Sequence, residues 1–497
     1  MFDPPDGVPR GPEPEPALNR DPGAEDEANP DGHAGEPVSG SSDRRGLRAA
    51  VAITLIAAIV VFGALGGSRL VRNHEDPPVP VRPARLVTID GIGALSTRDG
   101  TGGSAIPWSV PGVVFSFPVW SPDGTHVAAL GQDLKSAGVY VFAAPPADGG
   151  AVPATDAVPH VIYQDSANPA FYLYWAPDSR NVSFLTQEPS QISLRIAPAD
   201  GASEARILRQ GAPLYWEWVD SGRLLAHVGG TAPDSFLGEL GLDPGAPPAS
   251  LDPSAPPGAF RSPAVTGDGR LRAYLEASGS TQQLVLEARD GSSSHRLDVA
   301  GPTAMSFDPT GSALAFVAPE AADSSSATVP IGPLRLADPA DGSTRTLLAG
   351  KVVGFFWAPD GKTIAALGVS TPGDDGVQAV APGNAALTAY GRPPRAVVEL
   401  GAAIQPAAGI VLHLAFIDVA TGAPRAQRDV RVTDTFIQQV LPFFDQYALS
   451  HRFWSADSRS IALPLVGADG KDQLVVVPAD GADPTSIAGQ VIGFWSP

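Results

Sequence analysis

Cysteine is absent from all 497 residues of the chain. The chain therefore has no disulfide, thiolate metal site, iron–sulfur cluster or cysteine nucleophile. Basic residues are also scarce, because 33 Lys and Arg stand against 53 Asp and Glu and leave a formal net charge of −20. That balance argues against the broad basic face that nucleic acid requires, so we expect no nucleic-acid partner.

Motifs for catalysis and cofactor binding are missing as well. The sequence contains no HExxH, P-loop, dinucleotide glycine fingerprint, EF-hand loop or Gly-x-Ser-x-Gly elbow, and its eight His are scattered without ligand spacing. We therefore expect no catalytic residue, no cofactor and no metal, although a metal site assembled from distant residues stays open. The many Asp-Gly pairs could be mistaken for calcium ligands, but their position between strands favours turns.

Turn-forming residues are what the chain has in excess. It contains 54 Gly and 52 Pro, about a fifth of the sequence, which argues against a helical bundle.

Residues 1–43 hold eleven acidic and two basic residues and almost no large apolar residue. Such a segment cannot bury enough surface to offset its chain entropy, so we predict a disordered acidic Pro/Gly-rich tail. It is either a solvating spacer or an interaction tail.

Residues 44–69 have the composition of a membrane anchor. Ala49 to Ser68 is a run of 20 residues without a charge, preceded by Arg44, Arg45 and Arg48. A helix of that length spans about 30 Å, the thickness of the hydrocarbon core. The alternative is a cleaved signal peptide, but the long acidic segment before the basic cluster favours an uncleaved anchor.

The flanking charges give a weak indication of orientation. Three Arg precede the span and two follow it, which places the N-terminus in the cytoplasm and the larger C-terminal part outside. We therefore expect a single-pass plasma-membrane protein. Residues 70–84 predict a stiff Pro-rich stalk.

One motif recurs along residues 85–497. It consists of an apolar strand, Trp-Ser/Ala-Pro-Asp-Gly/Ser, a few polar residues and a second short apolar strand. Pro fixes φ, Asp bonds to the turn backbone and Gly accepts a positive φ, so each copy predicts a β-hairpin with the Trp as a packing anchor. The clearest copies begin at Trp120, Trp175, Trp357 and Trp454, and weaker ones at Trp218, Val265, Phe307 and Trp495.

A second turn signal, Asp-Gly or its equivalent, alternates with the first, and there are eight of each. The alternation predicts four-stranded units. The series begins in the second half of a unit after Arg85 and ends in the first half of one at Val491–Trp495, so the two chain ends should complete one unit. We predict an all-β fold, an eight-bladed β-propeller closed by both chain ends over residues 85–497. Seven blades follow if the weak copies fail, and nine follow if the 97 residues between Trp357 and Trp454 hide another.

These repeats resemble the TolB-like, or WD40-like (PD40), β-propeller family, whose hallmark hairpin is seen at Trp120–Gly124 and Trp357–Gly361. The resemblance covers about 410 residues and implies a fold rather than a function, because the motif is structural. An eight-bladed ring also resembles the N-terminal propeller of the dipeptidyl-peptidase IV type. There an α/β-hydrolase follows, whereas this sequence stops at Pro497 without a nucleophile elbow, so we expect no peptidase activity.

Aromatic runs lie at 171–175, 215–218, 353–357 and 491–495, on the first strand of their units. They could line a channel, but alternating strand faces favour packing between blades. Four long low-complexity loops, 145–159, 229–259, 319–333 and 370–409, are expected to be solvated excursions.

The segment 434–451 interrupts the repeat. Asp434 or Thr435 can cap a short helix whose apolar residues have helical spacing, and Pro442 would kink or end it. As a lid over one mouth of the ring, it would bind a partner through Phe444, Asp445, Gln446, Tyr447 and His451. Alternatively, it is a plug that fills irregular space. Asp445, Ser450 and His451 could suggest a triad, but closeness in sequence does not support one.

These features predict a non-catalytic, membrane-tethered extracytoplasmic propeller that binds a protein or cell-envelope component. A hydrolase or lyase that uses dispersed acidic residues in the channel is the alternative, and a purely structural envelope protein is a third possibility. Facing carboxylates would favour the enzyme, and an apolar, carboxylate-free mouth would favour binding.

Overall fold

The computed structural model describes residues 84–103, 105–146, 158–252, 255–279, 281–321, 329–369 and 410–497. The predicted tail at 1–43, the anchor at 44–69 and all of the stalk but Ala84 lie outside the described residues, as does the loop 370–409. Among the described residues, no helix is long and apolar enough to cross a membrane. The predicted span at Ala49–Ser68 therefore stays a prediction.

Strands dominate the described chain, and neighbouring strands within each sheet pair antiparallel. The first sheet contains both ends of the described chain, with the order β3-β2-β1-β30. Its strands are β1 Arg85–Asp90, β2 Leu95–Asp99, β3 Ala105–Trp108 and β30 Gln490–Trp495.

Four further sheets each contain four consecutive strands. The second sheet is β4 Val114–Trp120, β5 His126–Gln132, β6 Ala137–Ala143 and β7 His160–Gln164. The third is β8 Ala170–Trp175, β9 Asn181–Gln187, β10 Ile192–Pro198 and β11 Arg206–Gly211. The fourth is β12 Leu214–Asp220, β13 Arg223–Val228, β14 Phe236–Gly241 and β15 Ala249–Ser250. The fifth is β16 Ala264–Val265, β17 Leu271–Ser278, β18 Thr281–Ala288 and β19 Ser294–Val299.

The remaining strands form one seven-stranded and one three-stranded sheet. The larger is β20 Ala304–Phe307, β21 Leu314–Val317, β22 Gly332–Ala337, β23 Thr344–Trp357, β24 Thr363–Val369, β25 Val411–Asp418 and β26 Pro424–Arg431. The smaller is β27 Ser460–Val466, β28 Asp472–Pro478 and β29 Thr485–Ile487. Consecutive four-stranded antiparallel sheets are consistent with a β-propeller.

The sequence motif forms the predicted hairpins. Trp120, Trp175 and Trp357 each end a first strand, and the turn Asp accepts a backbone N–H two residues on, as in Thr125 N to Asp123 Oδ1 at 3.0 Å. Gly124 has a φ of 69°, a conformation that glycine adopts without cost. The Asp-Gly pairs are turns as well, because Asp200, for example, accepts the N–H of Ala202 at 2.9 Å.

The motif Trp also joins separate strands. In four copies the buried or half-buried indole N–H donates, at 3.0–3.2 Å, to the backbone carbonyl of the residue that precedes the aromatic residue of another motif copy. These pairs are Trp120 with Phe494, Trp175 with Val119, Trp357 with Ser306 and Trp454 with Phe356. The anchor role predicted for the Trp is therefore confirmed at these positions.

The two chain ends meet as predicted. β1 pairs antiparallel with β30, in a register that places Leu86 opposite Trp495 and Val87 opposite Phe494. The closure of one sheet by both chain ends is confirmed.

Two sheets depart from the four-stranded pattern at identifiable points. In β23, Leu348 pairs with Leu334 of β22, whereas Gly354 pairs with Leu367 of β24, so different halves of the strand serve different neighbours. Beside the three-stranded sheet, a single bridge joins Trp454 to Ile461 of β27.

The core lies along the first three strands of the sheets. The first strand β12 is buried over six consecutive residues, because both of its faces are covered. The fourth strand β11 has no fully buried residue. One expectation is wrong here, because the predicted excursion 229–259 contains β14, whose Phe236 and Leu240 are core residues.

Candidate functional site

The segment 434–451 is helical, as predicted, but its geometry changes along its length. A π-helix over Phe436–Val440 leads into a 3-10 turn over Leu441–Phe443 and then into an α-helix, α1, over Phe444–Ser450. Neither Asp434 nor Thr435 caps it. Instead, the hydroxyl of Thr433 accepts the N–H of Phe436 at 3.2 Å.

The five residues predicted to bind a partner all lie in or next to α1, and all are buried. Their exposed fractions are Phe444 1%, Asp445 1%, Gln446 4%, Tyr447 8% and His451 1%. Their burial leaves little side-chain surface for a macromolecule in this structure. The partner-binding role of these five residues stays a prediction.

The surroundings of α1 agree with the plug alternative. The hydroxyl of Tyr172 on β8 donates to the carbonyl of Gln446 at 2.7 Å. The ring centroid of Phe444 lies 5.2 Å from that of Phe355 on β23, and the ring of His451 lies 4.5 Å from that of Phe494 on β30. The segment therefore packs against the first strands of several sheets at once.

Ser450, His451 and Asp445 do not form a triad. Ser450 Oγ lies 2.7 Å from His451 Nδ1, but the Asp445 carboxylate is engaged elsewhere and accepts the N–H of Ser262 at 3.4 Å. Burial lowers the pKa of His451 to about 3, so its ring is neutral and a poor base at neutral pH. Burial also raises the pKa of Asp445, an effect that Arg261 opposes.

A cavity of about 380 Å³ lies beside the last turn of α1 and the residues that follow it. It is bordered by the motif residues Trp120, Trp175, Trp357 and Trp454, at the ends of first strands. Its walls are therefore mainly aromatic. This agrees in part with both interpretations of the aromatic runs, as the lining of a channel and as packing between blades. Trp175 both packs in the core and borders the cavity, and the half-buried Tyr174 beside it also lines the cavity.

Arg452 supplies the only formal charge in the lining of this cavity among the described residues. Its side chain is exposed there and forms no hydrogen bond or ion pair with the described part of the chain. Neighbouring atoms desolvate the guanidinium and lower the pKa of Arg452, an effect that Tyr174 opposes.

Two further groups complete the electrostatics near the cavity. Burial, together with Glu217, raises the pKa of Tyr174 well above its ordinary value, so the phenol keeps its proton. Burial also raises the pKa of Glu217 well above its ordinary value, although a carboxylate oxygen accepts the N–H of Val265. Glu217 lies outside the lining.

The sequence analysis missed Arg452, although a signal for it existed. Arg452 stands two residues before the motif Trp454, and the corresponding positions of other copies hold uncharged residues: Pro118, Leu173, Trp216, Phe355 and Gly493. A charge in a register that is otherwise apolar marks an exception to core packing.

Within the described ranges, no group of three or more His, Asp or Glu is placed to hold a metal ion. No protein-family model and no curated protein matches this chain.

Several solved structures are similar to the chain. A putative TolB from Agrobacterium tumefaciens is 20% identical with a TM-score of 0.32, over 54% of this chain and 90% of that one. TolB from Acinetobacter baumannii is 11% identical with a TM-score of 0.34, over 74% of this chain and 67% of that one. An oligogalacturonate lyase in complex with manganese is 11% identical with a TM-score of 0.37, over 81% and 84%. Similarities this distant do not indicate a shared function.

Proposed function

We propose that this chain is a non-catalytic β-propeller that binds a protein or cell-envelope component at the cavity bordered by the motif Trp residues. The wall chemistry of that cavity supports the proposal. Aromatic rings and one unpaired guanidinium recognise and hold a ligand, and no carboxylate among the described lining residues faces them to act as an acid or base.

The propeller has eight blades in this proposal. Five four-stranded sheets account for five blades. The two halves of β23 divide the seven-stranded sheet into two blades, because each half pairs with a different neighbour. The bridge between Trp454 and Ile461 supplies the first strand of the eighth, three-stranded blade.

The propeller is tethered to the plasma membrane by a helix over Ala49–Ser68, with its basic flank and N-terminus in the cytoplasm and the β domain outside. The length and composition of that segment support this part of the proposal. Extraction of membranes at high pH should leave the full chain in the pellet and release a variant that lacks 44–69. Release of both proteins would contradict the tether.

The competing function is a hydrolase or lyase in the channel. The raised pKa of Glu217 favours it, because perturbed carboxyls accumulate at active sites. Glu217 lies outside the cavity lining, however, and its carboxylate is engaged by the Val265 N–H, so a structural role explains it better.

Cross-linking of the full-length, tagged protein in its own membranes tests the binding function. We expect a discrete partner that survives deletion of 1–43 but is lost in Ala448→Phe, which adds a ring to a half-buried residue of the cavity wall. Ala448→Ser, which hardly changes the volume, is the matched control and should retain the partner. A partner lost with the tail would place the function on the cytoplasmic side. No partner in any sample would count against the binding function.

A further inference from the structure

We propose that the cavity binds a carboxylate attached to an apolar group, with the Arg452 guanidinium as its ionic partner and the Tyr174 hydroxyl as a second donor. This inference rests on the proposed binding function and adds the chemical class of the ligand.

The first observation is the unpaired guanidinium. Arg452 follows the buried His451 and precedes the buried Phe453, so its backbone is fixed in the core while its side chain reaches the cavity. Arg289, by contrast, is engaged with Glu239 at 2.9 Å. Arg452 has no such partner among the described residues.

The second observation is the charge of the surroundings. The neighbouring titratable groups do not offset the cation, because the His451 ring and the Tyr174 phenol are both neutral at pH 7. An Arg side chain keeps its proton under these conditions. The lining described here therefore carries one uncompensated positive charge, which an anion in the cavity would neutralise.

The third observation selects the kind of anion. A guanidinium matches a carboxylate through two parallel N–H···O bonds, and the protonated Tyr174 hydroxyl adds a donor. Much of the remaining wall is aromatic, including Trp120, Trp357 and Phe307. Such walls favour an apolar group beside the charge, and about 380 Å³ is enough for a small ligand or the last residue of a peptide.

A chain-terminal peptide carboxylate and a free organic acid share this chemistry. The probes are therefore acetyl-Gly-Gly-Gly-Phe with a free C-terminus, the same peptide as its C-terminal amide, and 3-phenylpropionate. Because Trp residues line the cavity, binding to the full chain can be followed by Trp fluorescence and confirmed by calorimetry. Binding of the peptide acid with much weaker binding of 3-phenylpropionate identifies a peptide terminus, and the reverse identifies a free acid.

We expect at least one acid to bind and the amide to bind at least tenfold more weakly. Arg452→Met should weaken acid binding at least tenfold, and Arg452→Lys should weaken it less, because Lys keeps the charge but loses the two-pronged geometry. Arg459→Gln, at an Arg whose side chain is 85% exposed, is the control and should bind like the parent protein.

Equal binding of acid and amide, unchanged binding by Arg452→Met, or no binding of either acid at millimolar concentration would each overturn the inference. If Arg452→Met does not fold, Tyr174→Phe and the comparison of acid with amide on the parent chain still test whether the cavity binds a carboxylate. Tyr174→Phe keeps the ring, and we expect a threefold to tenfold loss. If the cross-linked partner is lost in Ala448→Phe while no carboxylate binds, the binding function stands and the ligand class is wrong.

Discussion

At the scale of single residues, the same aromatic side chain occurs in two hydrogen-bonding states. The buried indole N–H of Trp175 donates to the Val119 carbonyl at 3.1 Å, whereas the buried indole N–H of Trp218 has no partner among the described residues. The partner that the repeat would supply to Trp218 is the Tyr174 carbonyl, which accepts the hydroxyl of Ser183 at 2.7 Å instead. Two residues with the same ring and similar burial therefore differ in one hydrogen bond.

That pair permits a matched test. Trp175→Phe removes a buried hydrogen bond and leaves the Val119 carbonyl without its donor, whereas Trp218→Phe removes a donor that has no partner. Both lose similar ring area, so we expect Trp175→Phe to lower the free energy of unfolding by about 1 kcal/mol more than Trp218→Phe does. Urea denaturation of the full-length variants measures the difference. Equal losses would show that the inter-sheet bond contributes nothing.

Glu217 gives a prediction on pH. Burial raises its folded-state pKa well above the ordinary 4.5, so the parent protein loses stability as pH rises from 4.5 towards that higher pKa. Glu217→Gln keeps a carbonyl that can accept the Val265 N–H but cannot ionise. We expect the variant to gain stability relative to the parent protein between pH 5 and pH 8, as measured by urea denaturation.

Glu188 is the control with the opposite sign. A hydrogen bond from the Ser193 hydroxyl is the largest cause that lowers its pKa, so this carboxylate contributes stability above about pH 4.5 that is lost at lower pH. Glu188→Gln should therefore be less stable than the parent protein at pH 7, and the gap should narrow near pH 4. A difference for Glu217→Gln that does not change with pH would contradict the assignment of a raised pKa.

At the scale of elements, the sequence predicted a helix within 434–451 but not how deeply it is buried. Helical spacing of Phe436, Val440 and Phe444 shows that one face is apolar, and both a lid and a plug need such a face. The distinction depends on what covers the polar residues, and sequence alone does not place Ser262 beside Asp445 or Tyr172 beside Gln446. Arg452 differs in that its charge in an apolar register was visible in the sequence, whereas the cavity that it lines was not.

A glycine on a neighbouring strand shows how close the helical segment comes. A Cβ placed on Gly354 of β23 would lie 3.0 Å from Leu441 Cδ1 and 3.4 Å from a ring atom of Phe444. The strand thus gives the helical segment room by having no side chain there. We infer that the segment is part of the cooperative core.

Adjacent phenylalanines test this inference. Phe444→Ala should lower the free energy of unfolding by about 3–5 kcal/mol, because the 1% exposed ring contacts Phe355 and Phe356 and leaves a cavity when removed. Phe443→Ala should cost clearly less, because that ring is only half-buried. Thermal unfolding with a single transition would support a common core. Similar losses, or a separate early transition in the parent protein, would contradict it.

At the scale of the whole molecule, turn chemistry and its order made the fold predictable. Alternating turn signals correctly placed both chain ends in one sheet, because each turn type depends on a few adjacent residues such as Pro122, Asp123 and Gly124. The prediction failed for 229–259, where β14 is short and lies among Pro and Gly. Its residues Phe236 and Leu240 become core residues only through pairing with β13, and that contact has no local signature.

The first sheet, in which β1 pairs with β30, is the part of the fold most sensitive to substitution. Separating these two strands would create two unpaired strand edges. Gly493 of β30 lies opposite Thr88, and a Cβ added there would lie 2.7 Å from both the Val87 carbonyl oxygen and Leu474 Cδ2. The backbone oxygen cannot move without breaking the β1–β30 pairing. We therefore expect Gly493→Ala to lower the free energy of unfolding by about 1–3 kcal/mol and to increase aggregation on heating.

Gly91, in the turn after β1, is the matched control. Its added Cβ would meet only Val491 Cγ1 at 4.0 Å, and its φ is not positive, so Gly91→Ala should have little effect. Differential scanning calorimetry combined with light scattering on the two full-length variants separates lost stability from new association. If Gly493→Ala matches Gly91→Ala in both readouts, the pairing of the two chain ends does not limit stability. If only Gly493→Ala melts early and associates, the junction of the chain ends is the weak point at which the fold opens.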